Sequence, residues 1–115
     1  MFVHFARKDA WEAAQEPGSY QPAEFEEDGF IPCATPEQAT DVANKKFSGE
    51  DDLVLLWIVP SKLKASIIYE RPAGLEVGDL YPHVYAPINV DAVVRADEIP
   101  RFEPGTFALP LQPAA

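Results

Sequence analysis

Residues 53–59 read Leu53-Val54-Leu55-Leu56-Trp57-Ile58-Val59, apolar throughout. A run this short is a strand rather than a helix, and the lack of polar alternation marks it as buried on both faces. It is also far too short to cross a bilayer. A strand of this kind sits at the centre of a sheet, and the rest of the chain has to pair with it and cover it.

The remaining elements follow from local pattern. Residues 2–6 form a first strand, with His4 on the opposite face from Val3 and Phe5. Asp9 is placed to cap a helix, with Glu12 completing a capping box and Trp11 anchoring the helix to the sheet; Pro17-Gly18 ends it. A loop with the acidic stretch 24–28 runs to Gly29. Residues 30–34 form a second strand, confined by Pro32 to an edge or a bulge. Thr35-Pro36-Glu37-Gln38 opens a second helix, whose stripe of Ala39, Val42, Ala43 and Phe47 ends near Gly49. Strands follow at 65–69 and 92–99, separated by a loop with Pro72, Gly74 and Gly78. The order is α+β: two helices in the N-terminal half over a mainly antiparallel sheet. Residues 1–100 make one domain, and 101–115 a Pro-rich tail expected to be extended or frayed.

The stretch Asp79-Leu80-Tyr81-Pro82-His83-Val84-Tyr85-Ala86-Pro87 holds one of the chain's two histidines between two tyrosines. Its prolines fix their own φ and push Tyr81 and Ala86 toward extended geometry. A stiff segment that presents aromatic and imidazole groups is a place to expect a ligand site.

Charge narrows the partners. The net charge is −10, with 19 acidic against 9 basic residues, and the only adjacent basic pairs are Arg7-Lys8 and Lys45-Lys46. Nucleic-acid binding rests on clustered cations, so it is not expected. A single cysteine, Cys33, rules out an intrachain disulfide. The apolar stretch before Arg7 is too short for a signal-peptide core. The expectation is a cytoplasmic protein with no membrane segment.

Several of these motifs together resemble the DUF952 family of small bacterial proteins, a domain of unknown function. The resemblance runs from Val3 to about Ile99. It is carried by the first strand with His4, by Trp11-Glu12-Ala13-Ala14-Gln15, and by Gly29-Phe30-Ile31 before Thr35-Pro36-Glu37-Gln38. Asp51-Asp52-Leu53-Val54-Leu55-Leu56 and the segment from Leu80 to Pro87 complete it. That family looks related to the ADP-ribosyltransferase fold, a split sheet whose cleft holds a nicotinamide dinucleotide in active members. The resemblance implies such a fold rather than an activity: NAD or an ADP-ribose-like molecule is the ligand it suggests, and an ADP-ribosyl- or phospho-transferase-like reaction is not expected to be retained in this copy. Pro32 and Ala34 stand where the family usually carries a histidine and a serine, and Ala86 replaces a glycine. Two polar contributors are therefore missing here.

In such a cleft His4 and His83 come from neighbouring strands. On one reading His4 hydrogen-bonds a ribose hydroxyl and Tyr81 or Tyr85 stacks on a flat ring. On the other, His4 is bonded to backbone and the tyrosines are core aromatics. Arg7 and Lys8 are the candidates for phosphate, and Thr35 lies at the cleft's edge. A carboxylate for an oxocarbenium-like centre has to come from Glu70, Glu76, Asp79 or Glu98. His4, His83, Cys33 and Asp79 are suitable metal ligands in type, but none has local ligand spacing, so no metal is expected. Cys33 has no positive neighbour to favour a thiolate and reads as a small buried hydrophobe. The leading expectation is a domain that binds a nucleotide-like small molecule at His4, Arg7, Thr35, Tyr81, His83 and Tyr85. The alternative is a non-catalytic protein-interaction or regulatory domain using the acidic stretch and the tail.

Overall fold

The computed structural model of the chain describes residues 1–72 and 78–114. Gly74 and Glu76 fall outside those residues. The apolar run forms β4 (Leu53–Ile58), every residue of which is buried. It lies between β1 (Phe2–Arg7) and β8 (Val93–Ile99), antiparallel to both. A second three-stranded sheet places β6 (Tyr81–Val84) between β3 (Ile31–Pro32) and β5 (Ile67–Glu70). The two sheets touch through one bridge, where Val3 and Ala34 exchange backbone hydrogen bonds of 2.8 and 2.9 Å. All strand pairs in the described residues are antiparallel.

Alternation along β1 and β4 divides the core in two. Phe2, Ala6, Val54, Leu56 and Ile58 point to one side, where Tyr20, Ile31, Val84 and Ile88 meet them. Val3, Phe5, Leu53, Leu55 and Trp57 point to the other, against Ala39, Ala43 and Phe107. Each aliphatic side chain so buried contributes about 2 kcal/mol of transfer free energy. The Trp57 indole N–H donates to Asp97 at 2.8 Å, so the one polar atom of this buried ring is satisfied.

The helices differ from expectation in instructive ways. α1 (Lys8–Ala13) starts directly at the end of β1, with Arg7 as its N-cap and no side-chain cap bond. The expected Asp9–Glu12 box does not form, because the chain leaves the strand too early for Asp9 to stand outside the helix. Instead the Asp9 carboxylate accepts from the Ala10 N–H at 2.8 Å within the first turn. The acidic stretch is not a loop: α2 (Phe25–Asp28) closes on Gly29, whose φ of 77° is the left-handed conformation glycine adopts without penalty. α3 (Pro36–Val42) forms as read, with Thr35 accepting from the Gln38 N–H and the Gln38 side chain accepting from the Thr35 N–H. It then widens into a π-turn at Ala43–Phe47.

Two strands went unanticipated. β2 (Ser19–Tyr20) pairs with β7 (Ile88–Asn89), and Tyr20 is thereby pulled into the core. Pro32 lies on the edge strand β3, as its missing donor requires. Pro82, by contrast, sits in the central strand β6. In an antiparallel ladder a residue's N and O face the same neighbour. Cys33 N–H donates to Pro82 O at 2.9 Å just beyond the end of β3, so the donor that Pro82 lacks falls where the pairing stops.

The C-terminal segment has no regular structure, yet it is not frayed. Phe107 is buried and packs edge-on to Phe5 with ring centres 5.7 Å apart; Phe102 lies 5.0 Å from Phe107. Asn44, in the π-turn, accepts from the backbone N–H groups of Gly105 and Phe107. The tail is a cover for one face of the central sheet. Phe107→Ala should therefore cost about 3 kcal/mol, read as a lower denaturant midpoint at unchanged slope; a midpoint that does not move would mean the tail hangs free.

Candidate functional site

Where the two sheets splay apart, β1 and β3 leave a cleft of two adjoining chambers, about 900 and 520 Å³. His4, Phe5, Phe30, Pro32, Lys46 and Phe47 belong to the walls of both. Arg7 lines the larger chamber, and Tyr81 and His83 line the smaller. The first strand and the proline-bracketed segment thus face one hollow. Thr35 and Tyr85 line neither chamber: the Thr35 hydroxyl is used as the cap of α3, and Tyr85, just past β6, is partly exposed with its hydroxyl donated to Glu70.

His4 is buried and both of its ring nitrogens are engaged. Nδ1 lies 2.7 Å from Pro32 O, which can only accept, so Nδ1 carries the proton. Nε2 lies 2.9 Å from the Tyr20 hydroxyl and accepts from it. Burial lowers the His4 pKa to about 4, outweighing the backbone hydrogen bond to Pro32. The ring is a neutral bridge between β1, β3 and β2, and it leaves no nitrogen for a ribose hydroxyl. Its place in the wall is shape and apolar surface. Pro32 supplies through its carbonyl the contact that fixes the His4 tautomer.

His83 is built differently. β6 turns Tyr81 and His83 to the same face, and register sets Ile68 opposite His83 and Glu70 opposite Tyr81. Glu70 therefore sits diagonally across from His83, within reach of its side chain. His83 Nδ1 donates to Glu70 Oε1 at 2.9 Å, and the Tyr85 hydroxyl donates to the same oxygen. These two hydrogen bonds, that of Tyr85 first, hold the Glu70 carboxyl below its ordinary pKa, and the same contact raises that of Tyr85. Phe30 stacks on the imidazole at 4.1 Å with planes 14° apart. Glu70 stood among the candidate carboxylates, but its pairing with His83 and Tyr85 was missed, because that role depends on strand register. Alternation of polar residues along two neighbouring strands is the only signal that pointed to it.

Charges at the cleft are mixed. Arg7 faces Glu50 at 3.5 Å, and Lys45 pairs with Asp41 at 3.0 Å. Lys46 has no ion-pair partner among the described residues. Asp28 also lines both chambers. Lys8, the other phosphate candidate, is drawn to Glu98 at 2.9 Å and lies outside the chamber walls. Asp79 is exposed and likewise outside the walls. Cys33 lines the smaller chamber but is buried, and that burial pushes its thiol pKa up. Among the described residues no three His, Cys, Asp or Glu side chains converge on a common metal position. No helix among them is long and apolar enough to cross a membrane.

The neutral His4 ties folding to pH. The unfolded histidine titrates near its ordinary value of 6.5, the folded one near 4. Between these values the unfolded chain binds a proton that the folded chain does not. The stabilisation is thus complete above about pH 6.5 and is lost as pH falls toward 4. A shift of this size is worth about 3 kcal/mol. Denaturant titrations at pH 7 and pH 4.5 should show that loss, and His4→Gln should flatten the dependence.

The chain matches the family model described as "Protein of unknown function (DUF952)" over residues 5–96. No curated protein matches it. The crystal structure of protein CC0527 from Caulobacter crescentus is similar at 31% identity and a TM-score of 0.74, covering 85% of this chain and 84% of that one. The solution NMR structure of CC0527 is similar at 32% identity and a TM-score of 0.68, covering 86% and 84%. With the splayed sheets, the matched residues and these relatives taken together, the chain belongs to the DUF952 family.

Proposed function

We propose that the cleft binds a nucleotide-like small molecule, of the kind represented by NAD and ADP-ribose, on a fold related to the ADP-ribosyltransferases. The observation that carries this reading is Lys46. It stands without an ion-pair partner among the described residues, beside the aromatic walls of Phe30 and Phe47, in a chain of net charge −10. A cation next to aromatic surface suits a ligand with phosphate at one end and a flat ring at the other. The chamber volumes fall in the range that small-molecule sites occupy. The packed tail supports this reading over a protein-interaction domain, since Phe107 is committed to the core and is not free to dock elsewhere.

In this reading Arg7 assists Lys46 at the phosphate end, and Tyr81 borders the ring or sugar in the smaller chamber. His4 contributes a rigid wall. Titration calorimetry with NAD, ADP-ribose and ADP should give saturable heat for at least one, together with a raised melting temperature. Lys46→Ala should weaken that binding about tenfold, as expected for a lost charged hydrogen bond, and leave the free protein's melting temperature unchanged. Absence of heat and of any melting shift for all three ligands would remove the proposal.

A further inference from the structure

We infer that His83 Nε2 is a fixed hydrogen-bond acceptor facing the smaller chamber, and that it selects ligands carrying a ribose hydroxyl over their deoxy counterparts. The inference rests on the nucleotide-binding reading of the cleft and deepens it. Its basis is the Glu70 carboxylate, whose Oε1 accepts from His83 at 2.9 Å and from the Tyr85 hydroxyl. An ionised carboxylate has no proton to give, so Nδ1 must carry one. In a neutral imidazole the second nitrogen then has only a lone pair.

The direction of that lone pair follows from what surrounds the ring. One face is covered by Phe30 at 4.1 Å, and the Nδ1 edge is held by Glu70, which lines neither chamber. His83 itself lines the smaller chamber. Among the described residues, no buried side-chain nitrogen or oxygen that is sealed from solvent lacks a hydrogen-bond partner. Nε2 has no protein partner among those residues, so it reaches open space. The open space beside His83 is the chamber.

An acceptor held this way discriminates by chemistry. A ligand hydroxyl donates to it, whereas a phosphate or carbonyl oxygen meets it lone pair to lone pair. A deoxy analogue leaves it unpaired. Glu70 acts through His83 as a positioning residue, and Tyr85 holds the carboxylate in place. Glu70→Gln keeps the size of the side chain, but its amide N–H₂ can donate to Nδ1. That exchange moves the imidazole proton to Nε2 and turns the acceptor into a donor, as replacing the orienting carboxylate of a catalytic triad yields the wrong tautomer.

The test compares ADP with 2′-deoxy-ADP and 3′-deoxy-ADP by calorimetry on the wild-type protein and on Glu70→Gln. At least one deoxy analogue should bind the wild type about tenfold more weakly than ADP, and Glu70→Gln should bring the two within about twofold of each other. Nitrogen NMR of the neutral His83 ring should show its proton on Nδ1 and none on Nε2 in the free wild type. If ADP and both deoxy analogues bind equally, the inference fails while nucleotide binding stands. If none of them binds, both fail. A proton found on Nε2 in the free protein overturns the inference whatever the affinities.

Discussion

The fold depends on one requirement, that β4 be hidden from water on both faces. A half-exposed strand needs one layer of cover, whereas Leu53–Ile58 needs two, and 115 residues leave little to spare. On one side the requirement is met by the second sheet and Tyr20, on the other by α3 and the C-terminal segment. The cleft is a by-product of the first arrangement. Among the described residues the only backbone bridge between the two sheets is at Val3 and Ala34, and the cleft opens beside it.

Pro32 occupies the middle of that opening and links its two histidines. Its carbonyl accepts from His4, and in β3 it stands opposite His83. The part Pro32 plays toward His4 is a backbone one, carried by its carbonyl and not by its side chain. The two imidazoles end in opposite conditions. Protein groups consume both nitrogens of His4, while Glu70 takes one nitrogen of His83 and leaves the other.

What the amino-acid pattern reveals depends on how local the cause is. Thr35-Pro36-Glu37-Gln38 specifies a helix start within four residues, and the start forms bond for bond. The central strand is legible because its composition allows little else. The Ser19–Tyr20 strand is not, since two residues paired to Ile88–Asn89 carry no periodicity of their own. Phe107 was hidden in a Pro- and Gly-rich context that reads as coil, and coil it is; burial there is decided by distant partners. The same holds for the candidate site. His83 and Tyr81 stand out locally, but Glu70 joins His83 only through a diagonal across two strands. His4 stood out as well, and only its buried partners Pro32 and Tyr20 show that its nitrogens are spent.

The order in which the chain is made sets a condition on how it can assemble. Phe2 pairs with Ile58, and Leu53 with Ile99, so neither edge of the central strand can be satisfied by near neighbours. During synthesis the first strand emerges without its mate and must wait, apolar on both sides, until half the chain has followed. The last cover described, Phe107, follows later still in the chain. Closing such long loops before any strand contact rewards them makes for slow folding.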